Sequence, residues 1–305
     1  MKKTNRREAL KQLATGTVAL GASAMLAGPV AGTPVTRTQK QPPQPLPLKG
    51  NIHHSVCQWT YSFLSIEELC QIVKEIGFSA IDLVAPKDWP ILQQYGIYSS
   101  MCYHGGNVSL TNGFNNRQFH DQLVRDYTDV IPLMVKAGYK NVICFSGSRN
   151  GMDDETGFKN CVEGLHRVLP LAEKNGITLH MELLNSKVDH KDYMCDRSAW
   201  GVELVKRVGS PNFKLLYDIY HMQIDEGDVI RTIRDYHPYF GHYHTGGVPG
   251  RHIIDESQEL YYPAIMRAIL ETGFQDFVAQ EFIPDEKTKE DKVAALKKAV
   301  MICDV

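Results

Sequence analysis

The sequence predicts an α/β protein of the (β/α)8 class, a TIM barrel. Three observations carry that expectation. Short β-rich runs and helical patterns alternate eight times across residues 51–305, which matches the size and order of an eight-stranded parallel barrel. Six helical patterns end in Gly, at 77, 96, 138, 176, 209 and 273, where a helix needs a left-handed closing residue that Gly adopts cheaply. No Gly-rich dinucleotide or phosphate-loop fingerprint follows the first strand, which leaves the open doubly wound sheet as the weaker rival.

The barrel does not begin at residue 1. Residues 1–32 open with MKKTNRREALK and continue with the Ala/Gly-rich LATGTVALGASAMLA. The pair Arg6-Arg7, with Leu10 and Lys11 behind it, resembles a twin-arginine export signal. Asn5 and Ala9 depart from the strongest form of that pattern, which has Ser or Thr before the arginines and Phe at the second position after them. The resemblance implies the twin-arginine export machinery as a partner and an exported, periplasmic location; an uncleaved N-terminus would instead anchor the chain to the membrane. Residues 33–50 hold five prolines and little to bury, so they read as an extended linker. The catalytic domain is expected over 51–305.

Within that domain the β-rich runs lie near 53–58, 80–84, 98–103, 141–146, 177–183, 213–218, 240–244 and 277–281. The first full helix starts at the capping box Ser65 to Glu68, followed by apolar residues at 69, 72, 73 and 76. Further helical patterns cover roughly 116–137, 157–174, 196–208, 226–235, 258–271 and 286–302.

Composition sets bounds on function. Hydrophobic residues make up 43% and charged residues 22%, enough for a sizeable core. A formal net charge of -2 argues against a nucleic-acid surface, which would be basic. The seven cysteines, at 57, 70, 102, 144, 161, 195 and 303, form no CxxC pair and imply neither a disulfide framework nor a zinc-thiolate site.

In a barrel, chemistry gathers at the C-terminal ends of the strands. The fifth run presents Glu182, the sixth Asp218, the seventh His244, and the eighth ends at Glu281. Three carboxylates converging without a cation would repel one another and resist ionisation. One divalent metal ion resolves that conflict, and an oxygen-rich set with one imidazole suits Mn²⁺ or Mg²⁺, with Co²⁺ or Zn²⁺ as alternatives. Taken singly, Asp218 reads as a helix N-cap and His244 as a structural histidine. Their grouping on successive strands is what points to a site.

The segments MELLN, YDIYHMQ, GHYHTGGVPGR and AQEF resemble four signature segments of the hydroxypyruvate isomerase-like branch of the xylose-isomerase-type barrel superfamily. The likeness runs from about Asn51 to Phe282. It implies Glu182, Asp218, His244 and Glu281 as metal ligands, His221 as a contact to substrate oxygens, and Arg251 as a grip on a substrate carboxylate or hydroxyls. By the same resemblance, isomerase members often carry Gln at the position of His244, whereas epimerases carry His. The segment HIIDESQELYY after Arg251 departs from the usual EPGxGExNY, which opens the question of substrate.

Those ligands imply a mechanism. A metal that chelates an α-hydroxy carbonyl acidifies the adjacent C–H, and Glu182 and Glu281 would remove and return the proton. The expected partner is a small sugar or hydroxy-keto acid and not a nucleic acid. The expected activity is isomerisation, with ketose 3-epimerisation as the alternative. Other readings are an inosose-type dehydratase, a phosphodiesterase like endonuclease IV, and a non-catalytic exported carbohydrate-binding protein. His104, after the third run, is a candidate substrate contact, and Trp59 and Tyr61 are candidates for an apolar wall. Barrels of this type commonly associate, so a homo-oligomer is a candidate assembly.

Overall fold

The computed structural model describes residues 45–106 and 109–305. The segment 1–32 and most of the stretch 33–50 lie outside the described residues. What is described of that stretch packs on the barrel, Leu46 and Leu48 lying against the core and Leu46 N–H donating to Ile76 O at 3.0 Å.

All eight expected strands form: β1 His53–Val56, β2 Ala80–Ile81, β3 Tyr98–Ser99, β4 Asn141–Cys144, β5 Thr178–Glu182, β6 Phe213–Asp218, β7 Phe240–Thr245 and β8 Phe277–Gln280. Six lie side by side in the order β1-β8-β7-β6-β5-β4, and β2 pairs with β3. Single parallel bridges, Cys57 to Asp82 and Cys102 to Val142, join β1 to β2 and β3 to β4. Backbone bonds cross both joins, Gln58 N–H to Asp82 O at 3.0 Å and Cys102 N–H to Asn141 O at 2.8 Å. The sheet therefore closes on itself, and the open doubly wound alternative falls.

The helices are α1 Ile66–Ile76, α2 Trp89–Tyr95, α3 His120–Ala137, α4 Asp154–His166, α5 Leu169–Asn175, α6 Ser198–Val208, α7 Ile219–Asp225, α8 Val229–Tyr236, α9 Tyr262–Glu271 and α10 Lys289–Cys303. The capping box of α1 is formed in both directions, Glu68 N–H to Ser65 Oγ at 3.2 Å and Ser65 N–H to Glu68 Oε2 at 2.9 Å. Its buried face is Leu69, Cys70, Val73 and Ile76. The six predicted closing glycines all take positive φ, Gly138 for instance at 79°.

Three differences from the sequence reading have local causes. The pattern at 157–174 is two helices, because Pro170 lacks the N–H a continuous helix would need and fits only in a first turn. The pattern at 258–271 becomes helical only from Tyr262, with Pro263 in its first turn. The short helix α7 starts directly after β6, with Asp218 as its N-cap.

Register places the chemistry. Asp218 and His244 are direct partners on β6 and β7, and Glu182 faces Leu216 on β6. Glu281 N–H donates to Thr245 O at 2.9 Å, which ties the residue after β8 to the same rim. The β6–β7 register slips between Leu215 and Leu216, opposite Gly241. A Cβ on Gly241 would stand 2.6 Å from the His180 ring, so this bulge admits only glycine without displacing a buried histidine.

Candidate metal centre

The four strand-end residues meet. One ligand atom each from Glu182, Asp218, His244 and Glu281 lies within 4.8 Å of the other three, and all four residues are buried. His244 Nδ1 stands 2.7 Å from Glu281 Oε2 and 3.3 Å from Glu182 Oε1. Asp218 does two things at once: its Oδ1 accepts the His221 N–H at 3.1 Å, capping α7, while its Oδ2 accepts from Arg251 Nη2 at 2.9 Å.

Electrostatics sorts the carboxylates. Burial raises the Glu182 carboxyl to about 7, with the Glu281 charge adding to the rise. Burial likewise raises Asp218 to about 6, although the Arg251 charge opposes it. Glu281 is buried as deeply yet is held well below the usual carboxylate range by the charges of His244 and Arg251. Burial alone would lower His244, but the Glu281 charge together with contacts to Cys57 and Asp82 outweighs it and raises the imidazole well above its ordinary value.

The donor set suits a divalent cation. Three carboxylates and one imidazole match the hard, oxygen-rich sets of Mn²⁺ and Mg²⁺ and admit Co²⁺ or Zn²⁺. A more specific sign is that His244 Nδ1 and Glu281 Oε2, though 2.7 Å apart, are both buried without hydrogen-bond geometry to any partner. Arg251 Nη1 stands 2.6 Å from the same Glu281 oxygen, so in the metal-free protein the guanidinium supplies part of the positive charge an ion would bring.

A cavity of about 590 Å³ opens above the cluster. Trp59, Leu83, Tyr103, Phe145 and Leu184 form its apolar wall, while Glu182, His221, Arg251 and Glu281 supply the polar groups. Trp59 is more than wall, since its Nε1–H donates to Glu281 Oε1 at 2.7 Å. Arg251 hydrogen-bonds Asp218 Oδ2 at 2.9 Å, and its Nη1 stands 2.6 Å from Glu281 Oε2 as an ion pair. It also contacts His221 Nε2 and lies over the Tyr220 ring at 4.7 Å. His221 is itself held at Nδ1, 2.6 Å from Asn185 Nδ2; burial and the Arg251 charge keep it neutral.

His104 lies elsewhere. Its Nδ1 accepts the Gly106 N–H at 3.1 Å and stands 4.0 Å from Asp126, and the cavity is lined by its neighbour Tyr103 instead. Tyr61 is buried edge-on against Phe282 and is not part of the wall. Asp189 and His190, from the loop after β5, also line the cavity. All seven cysteines are free and buried.

Residues 70–299 match the family described as xylose isomerase-like TIM barrel. The chain belongs to that family. Among named relatives, the putative hydroxypyruvate isomerase of Danio rerio is 31% identical over 128 residues, 42% of this chain and 46% of that one. D-psicose 3-epimerase of Ruminiclostridium cellulolyticum is 27% identical over 233 residues, 68% of this chain and 75% of that one. The chain thus spans about half the length of the isomerase relatives it matches. Among solved structures, AP endonuclease, family 2, from Brucella melitensis superposes with a TM-score of 0.71 at 22% identity, covering 80% of this chain and 96% of that one. That likeness shows the fold alone.

One residue of the family barrel in this chain escaped the sequence reading. Asp82, at the end of β2, is fully buried, and its Oδ1 accepts from His244 Nε2 at 3.0 Å. In the run AIDLV it reads as a lone polar interruption of an apolar strand, and only the fold brings it to β7.

Proposed function

We propose that this chain is a divalent-metal-dependent isomerase or epimerase of small hydroxy-carbonyl compounds. The observation that carries the reading is the pair Glu182 and Glu281, which flank His244 Nδ1 on the cavity floor. The names of the relatives, a putative hydroxypyruvate isomerase and a D-psicose 3-epimerase, agree with it.

Glu182, Asp218, His244 and Glu281 would hold the ion. Once bound, a divalent ion would polarise the substrate carbonyl and hydroxyl and stabilise the enediolate form of the substrate. Glu182, buried on the cavity lining and 3.3 Å from His244 Nδ1, is placed to exchange a proton with a substrate bound there. Glu281, ion-paired with Arg251 and oriented by Trp59, stands 2.7 Å from the same His244 Nδ1. Together they can remove a proton on one face and return one on the other, or return it to the neighbouring carbon.

A second reading, ketose 3-epimerase, has observations of its own. A cavity of about 590 Å³ is roomy for a three-carbon acid. Arg251 is already committed to two carboxylates, which favours an uncharged sugar over a hydroxy-keto acid.

The test is solvent deuterium exchange by Mn²⁺- or Mg²⁺-loaded protein into a panel of ketoses, aldoses and hydroxypyruvate. Exchange into one class is expected, falling by about 10²-fold or more in Glu182→Gln and in Glu281→Gln. Binding of a sugar without exchange would point to a non-catalytic carbohydrate-binding protein and sink the reading.

We further infer export by the twin-arginine route, on the strength of Arg6-Arg7 and its flanks. The seven buried free thiols suit a cargo folded in a reducing compartment first. Fractionation of cells making the full chain, beside the Arg6→Lys, Arg7→Lys double variant, tests it. An unchanged distribution of the variant contradicts the inference.

A further inference from the structure

Asp82 has no role in the mechanism above, yet it is one of the most heavily engaged carboxylates in the chain. Its Oδ1 accepts from His244 Nε2 at 3.0 Å, with Cys57 Sγ at 3.7 Å. Its Oδ2 accepts from the Ser100 hydroxyl at 2.6 Å, and His242 Nε2 stands 2.9 Å away. His242 and His244 lie two apart on β7 and so point to the same side of the strand, into the barrel. The backbone also marks the place: Leu83, directly after Asp82, sits in the left-handed region at φ 56°, which a branched side chain rarely adopts. Strain at such a residue persists where the surrounding structure enforces it, typically beside a functional site.

We propose that Asp82 is the positioning residue of the metal centre: it fixes His244 as the Nε2–H tautomer and so turns a bare Nδ1 toward the ion held by Glu182, Asp218 and Glu281. The inference rests on the metal-centre reading above. An ionised carboxylate only accepts, so the proton between Asp82 Oδ1 and His244 Nε2 belongs to the imidazole. A neutral imidazole with its proton on Nε2 carries its lone pair on Nδ1. Nδ1 is the atom that faces Glu281 and Glu182. The opposite tautomer would set two acceptors 3.0 Å apart in a fully buried site, an arrangement that costs the desolvation of both. Ser100 holds the second carboxylate oxygen, so Asp82 cannot swing away from His244 without losing that bond as well. A carboxylate behind a ligating histidine fixes the ring and strengthens it as a donor, and its loss weakens metal binding by about 10–100-fold.

Calorimetric titration of Mn²⁺ into the metal-free full chain, wild type against Asp82→Asn and Asp82→Ala, reads the effect directly. The expected result is weaker binding by about 10-fold in the Asn variant and up to about 100-fold in the Ala variant, with the circular dichroism of each folded variant unchanged. A merely structural Asp82 would lower thermal stability and leave the affinity of the folded variants within twofold of wild type, which overturns the proposal. A second measurement needs no variant. In Zn²⁺-loaded wild-type protein labelled with ¹⁵N-histidine, long-range ¹H–¹⁵N spectra should show one histidine protonated at Nε2 with a metal-shifted Nδ1. A His244 resonance with its proton on Nδ1 overturns the tautomer assignment. Wild-type protein that binds neither Mn²⁺ nor Zn²⁺ overturns the metal-centre reading itself, whereas metal binding indifferent to Asp82 removes only this inference.

Discussion

His244 Nδ1 and Glu281 Oε2 stand 2.7 Å apart in a fully buried site, yet no hydrogen bond joins them. In the metal-free protein the contact is an ion pair, Glu281 raising the imidazole and the imidazole lowering the carboxyl. A divalent cation between them would relieve the mutual repulsion of Glu182, Asp218 and Glu281, and would return His244 to its neutral form.

The pH dependence of the metal-free protein follows from that repulsion. Glu182, at about 7, and Asp218, at about 6, bind protons in the folded state at pH values where the unfolded chain has already released them. A raised carboxylate therefore costs stability as pH climbs from its unfolded to its folded value. Raised His244 acts in the same direction, its stabilisation disappearing as pH passes its folded value. Glu281 is depressed and loses its contribution only in more acidic solution. Buried neutral His54, His180 and His221 oppose this by adding stability as pH rises toward about 6.5, so urea denaturation in chelator should show the decline between about pH 6.5 and pH 8. Glu182→Gln should flatten part of that slope, and a slope of the opposite sign would refute the assignment.

Metal affinity should run the other way. Protons compete with the ion for Glu182 and Asp218, so binding strengthens as pH rises through about 6 to 7. Titrations at pH 5.5 and 8 are expected to differ by about tenfold or more in dissociation constant. Equal affinities at the two values would remove both residues from the ligand set.

Arg251 is the internal counter-ion of the cluster. Arg251→Met leaves Asp218 and Glu281 buried without their partner, and breaking such a pair costs about 3–5 kcal/mol. The loss is expected in metal-free protein by urea denaturation and should shrink on metal loading, when the ion supplies the missing charge. A variant as stable as wild type without metal would mean that the guanidinium is not committed to these carboxylates.

Asp218 allows its two tasks to be separated. Asp218→Asn keeps an oxygen for the His221 N–H and preserves the cap of α7, whereas Asp218→Ala removes the cap as well, at about 1 kcal/mol. Both should weaken Mn²⁺ binding, and only the Ala variant should also lose that extra stability. Two variants of equal stability would show that the cap contributes nothing.

The sequence made the frame of the site legible because each expected ligand sits at its own strand end, followed by a recognisable helix or loop. Glu182, Asp218, His244 and Glu281 needed only the eightfold alternation to be placed on one rim. Asp218 shows that the structural and the functional reading of one residue need not compete, since its two oxygens serve different partners. Asp82 was hidden because its partner His244 is 162 residues away, and nothing local distinguishes AIDLV from a buried strand. Trp59 read as a wall residue because the bond from its indole to Glu281 spans 222 residues. His104 misled through its strand-end position, which left open whether its side chain would turn toward the cavity or toward Asp126.

The most direct measurement is metal stoichiometry. Full-length protein loaded with Mn²⁺, desalted and analysed by inductively coupled plasma mass spectrometry should carry one ion per chain. His244→Ala and Asp218→Ala, still folded, should carry none. Wild-type protein that retains no divalent ion under any loading condition, or variants that retain it as well as wild type, would contradict the account at its centre.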